Sequence, residues 1–528
     1  MMMKLNYIIT LLLVMAITFI GACKREEVYE NPYSGGKAPL GVEMSKVVTP
    51  SPVQASGGTL VTFAVKGLLP YKDKLVFMFN GTPAEVTNIT DQQVVVKVPD
   101  LASSGMTSIA IDNQVFFGPR FKVTGKISVD AAWKVASGGA NKDISDILPL
   151  NDGRMIFVGS FTDYDSKGIV RPLNRIVQAL KDGGSDPSFK SEGADNTINS
   201  IAADGSSLLV AGSFTGFLDK GVTYRNYFIT RLNADGTPKL KTVPYFTGTR
   251  IVSTFSGGTN GTILNILMQS SKIIAVGGFT KHLKFIYGVL GTFVEETDAP
   301  QVIRMDTDGN LDKTYRFDVN LNAGLSGGNG SILGSVITTD GKVVLTGRFN
   351  KFDNVQANYI VQLNTDGTVD PTFQSGSGAN KPINNISYNP ATGKFLITGT
   401  FTTYNGQPAK GIAMLNSDGS LDNEFTSKGF TSEGVPSFAK QLSNGLILVS
   451  GSFTTYNGIR RVGLMVLDDK GSLAPGYNNI GDFRGVIKEI YESMNSSGKM
   501  TVVLAGSFTQ IDGLPVSHVT RLVLEPLN

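Results

Sequence analysis

Seven times along the chain a short apolar run ends in one kind of phrase: Gly159-Ser160-Phe161-Thr162, Gly212-Ser213-Phe214-Thr215, Gly277-Gly278-Phe279-Thr280, Gly347-Arg348-Phe349-Asn350, Gly399-Thr400-Phe401-Thr402, Gly451-Ser452-Phe453-Thr454 and Gly506-Ser507-Phe508-Thr509. Successive copies begin 53, 65, 70, 52, 52 and 55 residues apart. That period is longer than the roughly 20–47 residues of most solenoid repeats and lies near the roughly 40–50 residues of a four-stranded propeller blade. Seven copies predict an all-β chain built around a seven-bladed β-propeller.

The unit from Ile383 to Phe425 has no stretch at helical period and reads as four strands, at 383–388, 394–401, 411–416 and 421–425. Asp418-Gly419 is expected to turn the chain between the third and fourth, as Asp235-Gly236, Asp308-Gly309 and Asp366-Gly367 do elsewhere, because tight hairpins need positive φ. Asn405-Gly406 and Asn457-Gly458 should turn it between the second and third. The glycine closing each second strand is expected to let neighbouring backbones approach closely. At the C-terminus, residues 518–524 match a third strand and nothing follows to make a fourth, while Val129-Asp130-Ala131-Ala132-Trp133 resembles the fourth-strand phrase Val369-Asp370-Pro371-Thr372-Phe373. The last blade is therefore expected to be built from both ends, a strand exchange that closes the ring and hides two sheet edges.

The phrase GSFTTYNG followed by LNxDGxLDxxF, matched best at 399–425 and 347–373, resembles the delta-60 type of bacterial β-propeller repeat over roughly residues 126–528. The resemblance implies a fold and carries over no catalytic residue. The first 125 residues differ. Lys4, an apolar stretch at 8–20 and Ile20-Gly21-Ala22-Cys23 form an export signal too short to span a bilayer in the usual way. The small residues before Cys23 resemble a bacterial lipobox, which implies a signal peptide over 1–22, acylation of Cys23 and a tether over 23–42. Glu26 and Glu27 behind that cysteine resemble the surface-export signal of Bacteroidota lipoproteins, implying an outer-membrane protein anchored in lipid and facing the exterior. Residues 43–124 alternate apolar and polar positions as an all-β sandwich does. Pro50-Ser51-Pro52, Gly57-Gly58-Thr59 and Val98-Pro99 resemble the TIG/IPT immunoglobulin-like domain, which is expected to act as a stalk below a propeller at 125–528.

A net charge of +3 over 528 residues leaves no basic stripe, so no nucleic-acid partner is expected. The two histidines, His282 and His518, stand in no metal-ligand spacing, and no G-x-S-x-G elbow or phosphate-binding loop occurs. Neither a metal nor a cofactor is expected, and the chain reads as a non-enzyme. Paired carboxylates are the one catalytic option left open, and the adjacent Glu295 and Glu296 would point to opposite faces of an extended segment. Asp306-Thr307-Asp308-Gly309 repeats the hairpin phrase with an extra carboxylate and reads as turn chemistry rather than a calcium loop.

Insertions at 247–261, 281–300 and 318–330 fall in loops expected to share one face of the ring. They bring Arg250, Phe255, His282, Phe285, Tyr287 and Phe293 to the face expected to hold Tyr164, Tyr404 and Tyr456. Aromatic faces beside hydrogen-bonding groups suit sugar rings, and rigid scaffolds commonly carry sites on loops. The expected function is a surface lipoprotein that binds a polysaccharide, an oligosaccharide or an envelope protein. The Bacteroidota layout implies an accessory place in a SusC/SusD-like uptake system, beside a TonB-dependent transporter and a SusD-like lipoprotein. A glycan-cleaving hydrolase or lyase and a structural scaffold or adhesin are the alternatives.

Overall fold

The computed structural model describes residues 40–133, 138–168, 172–430 and 434–527. Cys23, the export signal and most of the tether lie outside the described residues. Among the described residues no helix is long and apolar enough to cross a membrane.

Residues 43–123 form one continuous path of eight strands, whose register runs from Glu43–Met44 through Leu60–Lys66, Gln93–Lys97, Thr82–Ile89, Leu75–Phe79, Gly105–Ile111 and Gln114–Val123 to Gln54–Ala55. Thr82–Ile89 bends the path, pairing by its first half with Leu75–Phe79 and by its second with Gln93–Lys97. The inward positions of Leu60–Lys66 are Val61, Phe63 and Val65, so its strict alternation buries one face. Phe63, Phe77, Phe79 and Phe121 meet there with ring centroids 4.9–5.8 Å apart.

Beyond residue 126 the repeat organises the chain. Among the described residues seven sheets share one pattern, in which a first strand pairs with a second and the second with a third. The first strands are Ile144–Pro149, Ile198–Asp204, Ile263–Gln269, Ile332–Ile337, Ile383–Asn389, Pro436–Gln441 and Phe483–Met494. Each touches the next, and Phe483–Met494 touches Ile144–Pro149. The second strands end at the repeat glycines Gly159, Gly212, Gly277, Gly347, Gly399 and Gly451, while the last, Met500–Ile511, runs on through Gly506. In all seven sheets the register slips by one residue beside this glycine. A Cβ there would overlap the carbonyl oxygen of Asp143, Thr197, Thr262, Ser331, Pro382, Val435 or Val486. The glycine is what permits the bulge. The phenylalanine two positions on is buried every time.

The fourth strands fall short of expectation. Leu421 makes a single bridge to Leu415 rather than opening a strand to Phe425, and Leu363–Val369 and Leu467–Leu473 are similar single bridges. An aspartate follows instead: Asp186, Asp312, Asp370 and Asp422 accept from Arg154, Lys272, Lys342 and Lys394 at the start of the second strands. The segment from near the N-terminus behaves as its phrase predicted. Ile127–Val129 pairs with Val519–Leu524, and Asp130 accepts from Arg521 at 2.7 Å.

The N-terminal sheet does not stand off as a stalk. Ser104 Oγ donates to the Asn479 carbonyl at 3.0 Å, Arg461 donates to the Leu101 carbonyl at 2.6 Å, and Asn80 Nδ2 donates to Asp482 at 3.2 Å. Arg120 donates to the Asp512 carbonyl at 2.7 Å, and Lys122 pairs with the Asp512 carboxylate. The sheet is docked against the last two repeats.

Candidate functional site

Four of the residues expected on the binding face occupy one structural position. Counted five from the repeat glycine, Tyr164, Phe217, His282, Phe352, Tyr404, Tyr456 and Ile511 are equivalent, and all are buried. The hydroxyls of Tyr164, Tyr404 and Tyr456 donate to the carbonyls of Gly183, Gly419 and Gly471 at 2.8, 2.9 and 2.6 Å. His282 Nε2 makes the same bond to the Gly309 carbonyl at 3.0 Å. Gly183, Gly309 and Gly419 sit in the Asp-Gly turns after the third strands, and Gly471 follows Lys470 in the equivalent turn. In these four repeats the side chain is a clamp that closes the repeat on its own outer turn, so Tyr164, Tyr404, Tyr456 and His282 are corrected from binding residues to interior ones. Burial holds the His282 imidazole below its ordinary range, and it stays neutral while it donates. Phe255, 3% exposed, packs in a core with Ile266 and Ile303 and is corrected likewise.

The insertions gather as expected, but the site they make is built differently. Leu240–Tyr245 and Gly248–Ser253 form a hairpin. Lys281–Gly288 and Gly291–Asp298 form a longer ribbon, to which Gly257–Thr259 adds an edge. The two tips meet where the Phe246 amide donates to the Val289 carbonyl at 2.7 Å, and Gly324 in the third insertion lies against Ala299. In the ribbon, Phe285 faces Val294 and Tyr287 faces Thr292, while Ile286 faces Phe293. Alternation therefore sends Phe285 and Tyr287 to one side and Phe293, 55% exposed, to the other. Phe293 is corrected out of the site. Glu296 pairs with Lys281 at 2.7 Å.

Phe285, Tyr287 and Arg250 line a cleft of about 240 Å³ together with Tyr224, Arg225 and Tyr227. The last three come from a hairpin in the second repeat, Gly216–Asp219 with Val222–Arg225, and the residues just after it. Sequence reading passed over them, although the 65-residue spacing to the next copy and the alternation Tyr224-Arg225-Asn226-Tyr227 were visible. Tyr227 and Phe285 stand 4.7 Å apart, and Phe285 and Tyr287 stack at 6.4 Å with an interplanar angle of 26°. Arg225 lies 5.0 Å over Tyr227, Arg250 5.5 Å over Tyr245 and Lys241 5.8 Å over Tyr287. Burial raises the Tyr287 hydroxyl, which therefore stays protonated at neutral pH.

A second, polar cavity of about 450 Å³ lies among the first strands. Asp146, Asn199, Asn265 and Glu489 line it beside the bulges, and a hydrogen-bonded chain that runs through Ser200 crosses four sheets. Ser200 Oγ lies 3.1 Å from Asp146 Oδ2 and 2.9 Å from Asn265 Oδ1, while Asn265 Nδ2 donates to the Ser335 carbonyl and hydroxyl at 3.2 and 3.0 Å. Ser200 has one proton and two oxygen neighbours. Asn265 must present its oxygen there, because its amide nitrogen faces a carbonyl. A proton on Asp146 satisfies the chain. Burial, reinforced by the charge of Glu489, accordingly raises Asp146 to about 7. Glu489 accepts from Lys440 at 2.7 Å. Sequence reading missed this carboxylate pair because 343 positions separate its members (489 less 146).

Two family models match the chain. One, a domain of unknown function (DUF5008), matches residues 17–119. The other, the domain of unknown function (DUF5122) β-propeller, matches residues 338–373 and 391–425. The chain carries β-propeller repeats. Its propeller resembles, at 15% identity, the WD40 β-propeller domain of Doa1 (TM-score 0.43, 76% of this chain and 98% of that one). YCF48 from Cyanidioschyzon merolae is also similar at 15% identity (TM-score 0.38, 75% and 100%). An auxiliary nutrient binding protein from Bacteroides ovatus matches at 10% identity (TM-score 0.25, 91% and 97%). These superpositions are coarse and do not bear on what the propeller here binds. No curated protein is matched.

Proposed function

We propose that the protein is a non-catalytic surface lipoprotein, anchored through Cys23 to the outer membrane, that binds a glycan in the cleft between its insertions. In this reading the repeats are delta-60-type blades of a seven-bladed ring closed by strand exchange, and the N-terminal sheet is a TIG/IPT-type immunoglobulin-like domain. The succession of first strands, each touching the next and the last touching the first, supports the ring. The observation that carries the function is the strip of Tyr227, Phe285 and Tyr287 in a cleft made by the two repeats that depart most from the common length. Flat apolar ring faces next to guanidinium donors fit the faces and hydroxyls of sugars. The setting is accessory capture for a SusC/SusD-like uptake system, with a TonB-dependent transporter and a SusD-like lipoprotein as neighbours.

Binding of the full chain to a panel of immobilised polysaccharides tests this reading. At least one is retained by the wild type and released by Phe285→Ala combined with Tyr287→Ala, with a loss of at least about tenfold. Retention that ignores the double variant removes the cleft from the proposal, and no retention anywhere removes the glycan. One observation favours a second reading, a glycan-cleaving enzyme: the carboxyl of Asp146, raised to about 7, lies in a cavity shared with Glu489. New reducing ends that vanish in Asp146→Asn would establish it.

A further inference from the structure

The cleft contains two guanidiniums and no carboxylate. Arg225 and Arg250 are exposed, and the remaining lining residues are aromatic, aliphatic or threonine. Elsewhere in the propeller Arg154, Arg231, Arg304, Arg316 and Arg521 each have an aspartate partner. In the cleft the positive groups meet rings instead: Arg225 over Tyr227, Arg250 over Tyr245, and Lys241 over Tyr287 at its border. A ring face fixes the plane of a guanidinium without using its N–H donors. Two such forks therefore remain free to bind an anion in the paired geometry that carboxylate and sulfate accept. A concave wall of like charge also concentrates anions from solution.

From this charge pattern we propose that the ligand of the cleft is an acidic glycan, a polysaccharide carrying carboxylate or sulfate groups. Its sugar rings lie along Tyr227, Phe285 and Tyr287, and its anionic groups meet Arg225 and Arg250. The inference rests on the reading of the cleft as a glycan site and adds the charge of the ligand. A saccharide fits better than an acidic peptide. The strands that form the walls pair with one another over most of their length, leaving few backbone groups to hold an extended peptide, whereas the rings present faces.

Native electrophoresis of the full chain through gels containing polygalacturonate, chondroitin sulfate, neutral galactan, neutral dextran or poly-glutamate tests the assignment. The expected result is retardation by polygalacturonate or chondroitin sulfate, whichever anion is preferred, weakening as salt rises. Arg225→Ala and Arg250→Ala should each lower the affinity about tenfold. Arg250→Lys should fall between, and Arg484→Ala, a change at an exposed arginine of the last repeat, should leave it unchanged. Retardation by galactan or dextran that ignores both arginine variants overturns the acidic assignment and leaves glycan binding standing. Retardation by poly-glutamate alone, lost in the arginine variants, overturns it in favour of an acidic peptide. No retardation by any polymer overturns the glycan reading itself.

Discussion

The fifth and third repeats begin the same excursion and finish it differently. In the fifth, Thr403–Tyr404 and Gln407–Pro408 close at once on Asn405-Gly406, whose φ values of 46° and 74° are those of a tight hairpin turn. The ring of Tyr404 is spent on the clamp to Gly419. In the third, His282 makes the same clamp, but the ribbon runs on through Lys281–Gly288 and Gly291–Asp298. Past the clamp the strands no longer serve the repeat, and their alternation is free to place Phe285 and Tyr287 in a cleft. Tyr404 and Tyr287, on the corresponding excursions of these two repeats, thus have opposite fates, and distance from the clamp decides which.

Substitution tests that contrast directly. Tyr404→Ala removes a fully buried ring and should cost about 3–5 kcal/mol in urea unfolding. Tyr287→Ala, at a half-buried cleft position, should cost less than about 1 kcal/mol. Equal costs would break the distinction between clamp and cleft. A smaller effect separates the adjacent glycines of the third repeat. Gly277→Ala drives a methyl into the Thr262 carbonyl and should cost about 1–3 kcal/mol, whereas a methyl on Gly278 meets nothing within 4 Å. If both were neutral, the bulge would not be what requires glycine.

The polar cavity among the first strands offers a third comparison, with pH as the variable. Asp146 titrates near 7 in the folded protein against an ordinary 3.8, so the folded state holds the extra proton between those values. The contribution of Asp146 to stability should therefore be largest below about pH 4, fall by on the order of 4 kcal/mol as pH rises to about 7, and then level. Asp146→Asn should flatten that slope in unfolding curves recorded across the range, and an unchanged slope would assign the proton elsewhere. A further small effect is that of Tyr404→Phe, which keeps the ring and leaves the Gly419 carbonyl without its donor, for about 1 kcal/mol. No measurable cost would mean that the clamp works by packing alone.

Much of the scaffold was legible in the sequence because it is local and repeated. The repeat glycines, the Asp-Gly turns and the phrase at Val129 each state a backbone requirement that a few neighbouring residues satisfy, and each appears as expected. The fourth strand at 421–425 was over-read, since its aspartate forms an ion pair to Lys394 where a ladder was expected. The site was legible only in outline. Insertion lengths pointed to the second to fourth repeats, and Arg250, Phe285 and Tyr287 do line one cleft. Aligning the fifth position after each glycine would have shown that Tyr164, His282, Tyr404 and Tyr456 are one residue of the repeat.

By itself the sequence determined the repeat, its turns, the bulge glycines and the joining of the two ends, because each depends on backbone sterics within a few residues. Only the tertiary structure decided which rings are walls and which are clamps, and that Tyr224, Arg225 and Tyr227 complete the cleft. It also decided that Asp146 and Glu489 share a cavity. Those outcomes depend on which strands of different repeats come to lie side by side, and no local run of residues encodes that.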